Sequence, residues 1–394
     1  MDVEVGVALL TGGQDRHYAF GLAMALITKG VHLDFIGSDE LDSPELHTTT
    51  KIRFLNLRGN QRRDVGMARR ASRVLIYYAR LIRYAASARV KIFHILWNNK
   101  FEGFDRTLLM LYYKLLRKNI VFTVHNVNAG RRDSRDTRLN RLTLKIQYRL
   151  ADRIFVHTEK MKAELQQEFG VCGSAVTVIP YGINNAVPDT DLTAVEAKER
   201  LGIAMQEKAI LFFGAIAPYK GLHFLADAFK QLLIENPDYR LIIAGYPKGG
   251  CGQYWNNIEQ NLSGSIEKGR IIDRIEYVRD QEIETYFKAA DLLVLPYTQI
   301  FQSGILFLGY SFGLPVVASD VGSFREDIIE GRTGFLCRPA DPVDLAKTIQ
   351  KYFASDLFKN LKRRRPEIQE YAKVRHSWDT VGEMTRRVYA QLLV

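Results

Sequence analysis

The chain has 394 residues, 47% of them hydrophobic, and a formal net charge of +11. That length exceeds one ordinary core and suits two domains, and the apolar content excludes a disordered chain. The three cysteines, Cys172, Cys251 and Cys337, stand far apart with no C-x-x-C pair. This argues against a zinc site or a disulfide framework and fits a reducing cytoplasm.

The first ten residues lack a basic leader and read as a buried strand, not a signal peptide. No apolar run reaches the length of a membrane span. Strands are predicted at 3–10, 32–36, 92–96, 120–125 and 153–157, separated by helical patterns. The basic charge is concentrated here: residues 51–150 hold 24 Lys and Arg against 5 Asp and Glu, leaving −8 for the rest of the chain. Such a region points to an anionic partner: nucleic acid, an anionic membrane face or an acidic substrate. Segments 69–84 and 106–118 read as helices in which apolar residues interleave with Arg and Lys. Val74, Tyr77, Tyr78, Leu81 and Tyr84 fall at helical spacing and are expected to pack on the sheet, and the basic residues beside them remain available to face lipid.

The turn-rich stretch 180–191 reads as a linker, and the strand rhythm resumes at 209–214, 240–245, 275–278, 292–296, 315–319 and 334–337. The expected architecture is α/β, with two doubly wound, Rossmann-like domains: 1–185, 186–372, and a closing helix at 373–394 that crosses back to the first domain. The segment Gln302 to Ser323 reads as loop, helix, tight turn and strand. Ser303 suits an N-cap, so the amides of Gly304, Ile305 and Leu306 would be donors at a helix start, where phosphate is favoured. An ordinary capped helix with no ligand fits the isolated pattern equally well.

Several ordered motifs resemble the retaining glycosyltransferases of family 4, which have the GT-B fold of two such domains facing across a cleft. Thr11-Gly-Gly-Gln-Asp-Arg-His-Tyr resembles the family's first glycine loop, Phe122-Thr-Val-His-Asn-Val its acceptor-side histidine motif, and Val156-His-Thr-Glu-Lys-Met an interior strand-to-helix turn. Ile179-Pro-Tyr-Gly-Ile resembles the interdomain segment, and Phe212-Phe-Gly-Ala-Ile-Ala-Pro-Tyr-Lys-Gly the donor-phosphate loop. Ala289-Ala-Asp-Leu-Leu-Val-Leu-Pro-Tyr and the Gln302 segment complete the series.

The resemblance implies a nucleotide-diphosphate sugar bound mainly by the second domain and a saccharide acceptor, lipid-linked, bound mainly by the first. It implies a catalytic or sugar-positioning role for His125. Donor contacts are expected from Gly12, Gly13, Gly214, Tyr219, Lys220, Gln302, Ser303, Gly304 and Ile305, with Lys220 the direct cation for the leaving diphosphate. Gly12 and Gly13 would let backbone approach that diphosphate where no Cβ obstructs it. Arg131, Arg132, Arg135 and Arg138 are candidates to clamp an acceptor diphosphate or meet a membrane; a solvated loop is the alternative. His157 is read as structural and Asp291 as bracing a helix-to-strand turn. No cofactor or metal is expected, and no Asp-x-Asp pair is present.

Two departures mark a divergent member. Ile300 and Leu308 occupy the places of the family's paired glutamates, and Ala215 and Ala217 those of its phosphate-loop arginine. The expected function is sugar transfer in surface-polysaccharide assembly, cytoplasmic and peripheral on the inner membrane face. Two other readings are a nucleotide-sugar epimerase of the same architecture and a non-catalytic binder of anions or nucleic acid that uses the basic region. No nucleic-acid module is recognisable in the basic region.

Overall fold

The computed structural model describes residues 5–13, 15–61, 66–132, 135–183 and 187–393. It divides into two compact units, Met1–Gly182 with His376–Val394, and Ile183–Arg375.

The first unit is built on a seven-stranded sheet of order β3-β2-β1-β4-β5-β6-β7. Its strands are β1 (Gly6–Leu10), β2 (His32–Gly37), β3 (Ile52–Asn56), β4 (Ile92–Ile95), β5 (Asn119–Thr123), β6 (Arg153–Val156) and β7 (Val176–Val178). The second unit carries a six-stranded sheet of order β10-β9-β8-β11-β12-β13. Here the strands are β8 (Lys208–Phe213), β9 (Tyr239–Ala244), β10 (Ile271–Arg274), β11 (Leu292–Leu295), β12 (Val316–Ser319) and β13 (Gly334–Cys337). Every described pairing is parallel. The central strands β4, β11 and β12 are buried throughout, which is why they read as continuous apolar runs. In each sheet the strand order reverses once, between β1 and β4 and between β8 and β11. Open α/β sheets bind ligands at the carboxyl ends of strands beside such a reversal.

Three expectations are corrected. Strands β3 and β7 were not foreseen; each is an edge strand paired on one side only, so neither needs a fully apolar run. The strand predicted at 275–278 lies instead at Ile271–Arg274, because its register against β9 ends where β9 ends, Arg274 opposite Ala244. The continuous helix predicted over 106–118 is interrupted: a π-helical turn, Asp105–Leu109, precedes Met110–Leu115 and turns Asp105 and Arg106 inward.

The helix Met67–Ser87 packs as its spacing predicted, with Tyr77, Tyr78, Leu81 and Tyr84 buried. The helix Trp378–Gln391 belongs to the first unit and crosses the helix Arg16–Thr28, where Gly21 and Gly382 permit close approach to Trp378 and Ala25. The cysteines are free thiols. Among the described residues, no helix is long and apolar enough to cross a membrane.

Candidate active site

In the first unit, four neighbouring strands deliver their carboxyl ends to one place. Gly12 and Gly13 follow β1, Trp97 follows β4, His125 follows β5 and His157 follows β6. Thr158 fixes the last of these turns by accepting the Met161 amide at 3.1 Å, as the N-cap of Glu159–Phe169. The Trp97 ring stacks on His125 with centroids 4.3 Å apart and 8° between planes. Tyr18 meets the same imidazole edge-on at 4.7 Å.

His157 is buried and structural, yet it also orients His125. Its Nδ1 lies 3.3 Å from the Ile179 carbonyl oxygen, an acceptor only, so Nδ1 carries the proton. Nε2 of His157 is therefore a lone pair, and it accepts from His125 Nδ1 at 3.1 Å. The remaining His125 nitrogen, Nε2, is then an acceptor as well; it is buried and has no hydrogen-bond partner among the described residues. Burial first, and His157 and His94 nearby, hold the His125 imidazole well below its ordinary pKa. His125 is thus a neutral ring with a free lone pair, a hydrogen-bond acceptor whose lowered basicity suits it to orient a hydroxyl and not to take its proton.

The glycine loop differs from expectation. Gly12 and Gly13 have φ of +62° and +70°, but the space a Cβ would fill belongs to the protein itself. The Trp97 carbonyl crowds Gly12 and the Arg58 guanidinium covers Gly13. Arg58 donates to the Gly12 carbonyl and, at 2.8 Å, to Asn99 Oδ1. Sequence reasoning missed Arg58, since it stands beyond an edge strand with no motif around it.

The arginine clamp is also corrected. Arg131 is committed to Glu168, to Glu164 at 3.1 Å and to Asp136 at 3.6 Å, so its fork is already filled. Arg135 and Arg138 are exposed, and the Arg132 side chain lies outside the described residues.

In the second unit, Gly214 follows β8 with φ of +102°. A Cβ built there would stand 3.4 Å from Lys220 Nζ and 3.4 Å from the Ile305 side chain, so these three residues converge. Lys220 is buried at the end of the 3₁₀ turn Pro218–Lys220, its ammonium 5.3 Å from the Tyr297 ring centroid. Tyr219 contributes backbone: its carbonyl accepts the Thr298 amide at 2.8 Å and joins the Lys220 turn to the segment after β11.

Ser303 is the N-cap residue of the helix Gly304–Ser311, as predicted, but its side chain makes no capping bond. Its carbonyl takes the Leu306 amide at 3.1 Å, which removes Leu306 from the expected donors. The amides of Gly304 and Ile305 have no protein partner among the described residues. Gln302 has a buried amide with no complete hydrogen bond, set against the Asp327 carboxylate. Burial pushes the Asp327 carboxyl up to about 6, against the hydroxyl of Ser323 that donates to it at 2.8 Å. Leu308 is buried in the helix's core face, and Ile300 is half-buried. Asp291 braces the base of the sheet: it pairs with Lys198 at 2.8 Å and accepts the Ala209 amide at 2.8 Å. Among the described residues, no cluster of His, Cys, Asp or Glu is placed to hold a metal ion.

A buried ammonium follows β8 and two amides without a protein partner among the described residues follow β11, the two strands that flank the strand reversal of the second unit. That arrangement can neutralise phosphate oxygens. The first unit offers an imidazole lone pair and cations.

Comparison with known proteins agrees with this layout. The sequence model of Glycosyltransferase Family 4 matches residues 11–187, and that of Glycosyl transferases group 1 matches 207–355. A D-inositol 3-phosphate glycosyltransferase of Corynebacterium urealyticum is 25% identical over 249 residues, 61% of this chain and 57% of that protein. The chain thus spans little more than half the length of this curated relative. Among solved structures, a sucrose-phosphate synthase from Thermosynechococcus elongatus superposes with a TM-score of 0.79 at 18% identity, covering 99% of both chains. Anabaena HepE, in complex with UDP and glucose, superposes with a TM-score of 0.75 at 17% identity, covering 98% of this chain and 100% of that one. The two matched models, in order along nearly the whole chain, and the two doubly wound sheets establish that this chain belongs to the family 4 glycosyltransferases and has the GT-B fold.

Proposed function

We propose that the chain transfers a hexosyl group from a nucleotide-diphosphate sugar to a lipid-linked saccharide, with retention at the anomeric carbon, in surface-polysaccharide assembly. The observation that carries this reading is the convergence of Gly214, Lys220 and the Ile305 side chain, with Ile305 in the first turn of a helix whose Gly304 and Ile305 amides have no protein partner among the described residues. The second unit holds the donor diphosphate there. Lys220 and the two amides stabilise the charge that grows as the glycosidic C–O bond breaks. The leaving phosphate oxygen takes the acceptor hydroxyl proton on the same face of the sugar, while the His125 lone pair orients a sugar hydroxyl. No residue is assigned as a covalent nucleophile, and no metal or cofactor enters the proposal.

A membrane-facing acceptor is supported by the surface of the first unit. Leu75 and Ile76 on Met67–Ser87, Leu108 and Leu115 around the π turn, and Leu139 and Leu142 on Arg138–Leu150 are all exposed. Tyr112 donates to the Ile82 carbonyl at 3.2 Å, which ties the first two of these segments together. Apolar side chains among the basic residues of 51–150 suit an anionic bilayer surface.

The test is a thermal-shift screen with UDP, GDP, ADP and their common sugars, followed by product analysis. One nucleotide series should raise the melting temperature, since a ligand of the folded state stabilises it. The product should retain the donor's anomeric configuration. No shift with any nucleotide would remove the donor site, and free epimerised donor without acceptor would replace transfer by epimerisation.

A further inference from the structure

The helix Leu361–Arg375 closes the second unit, and its side chains meet the ends of three other helices. Arg365 donates to the carbonyls of Phe287, at 3.4 Å, and Ala290, where Asp280–Ala289 stops. It also donates, at 3.2 Å, to the carbonyl of Phe312, where Gly304–Ser311 stops. Gln369 donates to the Ser311 carbonyl at 2.8 Å. Tyr371 and Arg375 donate to the carbonyls of Asp327 and Glu326, at 3.4 and 2.9 Å, where Phe324–Asp327 stops. We propose that Arg365, assisted by Gln369, is a positioning residue of the donor site: from the far end of Gly304–Ser311 it sets where the amides of Gly304 and Ile305 stand. The proposal rests on the transfer reading above and adds a residue that acts on the donor without touching it.

The last carbonyls of a helix have no partner within it and carry its negative end, so a guanidinium there is favoured both as donor and as charge. The planar fork of Arg365 holds three such carbonyls at once. It thereby ties Asp280–Ala289 to Gly304–Ser311, the helices before and after β11. Gly313, with φ of +63°, admits the Arg365 backbone to this place, since a Cβ there would strike the Arg365 carbonyl.

What distinguishes Arg365 from an ordinary helix cap is the other end of the helix it caps. Gly304–Ser311 has eight residues and is therefore only about 12 Å long. Its opposite end carries the two amides assigned to the diphosphate. So short a helix moves as a rod, and a shift at Phe312 arrives at Gly304. The approach to the helix is held from the same side. The Ser323 amide donates to the Phe301 carbonyl at 3.0 Å, and the Tyr310 hydroxyl donates to the Asp327 carbonyl at 3.2 Å. The grip of Tyr371 and Arg375 on Asp327 and Glu326 thus extends to the residues just before Ser303. Misplacing a substrate-holding group by about 1 Å costs on the order of 10²-fold in rate, so an anchor at this distance bears directly on turnover.

UDP, GDP and ADP, each beside its monophosphate, titrated calorimetrically into the full chain read the effect on the donor site. In Arg365→Met, the diphosphate that binds wild type should bind about 10-fold more weakly and its monophosphate equally well, because the helix amides take the outer phosphate. With transfer running, donor KM should rise by about the same factor and acceptor KM should not move. Arg365→Lys keeps the charge but cannot span three carbonyls, and should recover part of the loss. Gln369→Met removes only the bond to Ser311 and should weaken the diphosphate about 3-fold, which keeps the test open where Arg365→Met does not fold. Hydrogen exchange of the ligand-free protein reads the anchor itself. The amides of 304–311 should exchange faster in either variant, and those of Leu222–Glu235 as in wild type. Unchanged diphosphate affinity, equal losses for the monophosphate and diphosphate, or unchanged exchange at 304–311 would each overturn the proposal. A wild-type chain that binds none of the three diphosphates, with the exchange difference present, would sink the transfer reading instead and leave the anchor standing.

Discussion

His125 and His157 share one hydrogen bond, 3.1 Å between Nδ1 and Nε2, and the Ile179 carbonyl at the far end of the pair decides which way it runs. Both rings are therefore neutral, and the pair presents an acceptor at His125 Nε2. Replacing His157 by Phe leaves a buried N–H donor on His125 without a partner and frees its tautomer. Turnover should fall about 10- to 100-fold, the usual cost of losing the group that orients a functional imidazole, with a stability loss of about 1–3 kcal/mol. His157→Gln, which still offers an acceptor oxygen, should recover part of the turnover. Equal turnover in the Phe variant and the wild type, measured at saturating donor, would return His157 to a purely structural role. His125→Ala should lower turnover more than either.

Lys220 is the donor-side counterpart. Lys220→Met keeps the stem against Tyr297 and deletes the charge. A charge-assisted hydrogen bond contributes about 1.5–3 kcal/mol, so nucleotide-diphosphate affinity should drop about 10- to 150-fold. Calorimetry with the nucleotide identified in the thermal screen reads this directly. Wild-type affinity would take Lys220 out of the site.

The two units should respond to acid with opposite signs. In the first, burial lowers His94 to about 3, His157 to about 4 and His125 well below its ordinary value. Their unfolded counterparts titrate near 6.5. Below that pH the unfolded chain binds more protons, so this contribution to stability is present above 6.5 and is lost as pH falls. Asp327 behaves the other way, its carboxyl pushed up from 3.8 to about 6 by burial. Its contribution is fully present below 3.8 and disappears as pH rises through 6. Asp327→Asn should accordingly be more stable relative to wild type at pH 8 than at pH 4.5, by about 1–3 kcal/mol. Denaturant unfolding of both proteins at the two pH values gives the difference; a pH-independent gap would mean Asp327 is not held in its acid form.

Much of this was legible in the sequence because it rests on local signals. Continuous apolar runs marked the buried strands, and a glycine or an N-cap residue at a strand's end marked Gly12, Gly214 and Ser303. The Met67–Ser87 stripe was legible from its spacing. What escaped depended on partners far along the chain. Edge strands β3 and β7 need only one neighbour. Arg58 acquires its meaning from Gly12, Asn99 and Tyr77, residues 46, 41 and 19 positions away. Arg131 looked available until Glu164 and Glu168 were placed beside it. The His125–His157 pair joins two motifs that sequence alone could only list separately.

Membrane contact is tested on exposed positions that no core contact complicates. Leu108 and Leu115 are 62% and 81% exposed. A Leu108→Asp/Leu115→Asp variant should keep its melting temperature within about 1 °C, because exposed substitutions change stability by less than about 0.5 kcal/mol. It should float less with liposomes containing anionic lipid. Wild type should float with those liposomes and not with neutral ones, and added salt should release it. Identical flotation of variant and wild type would remove this surface from the bilayer.

The apolar residues at the family's glutamate positions make a final, asymmetric prediction. Leu308 is only 4% exposed on the core side of Gly304–Ser311, whereas Ile300 lies on a half-buried loop. Restoring a carboxylate at 308 places an unpaired charge in a packed interior. It should cost about 3 kcal/mol or more, or raise the glutamate's pKa well above its usual range. Ile300→Glu lies where solvent can reach it and should cost less than about 1 kcal/mol. Chemical denaturation of the two single variants decides the matter. If Leu308→Glu were as stable as Ile300→Glu, that helix face would be open to ligand rather than committed to the core. The site would then be the ordinary family pocket with two substitutions, not a rearranged one in which Lys220 and the helix amides carry the diphosphate.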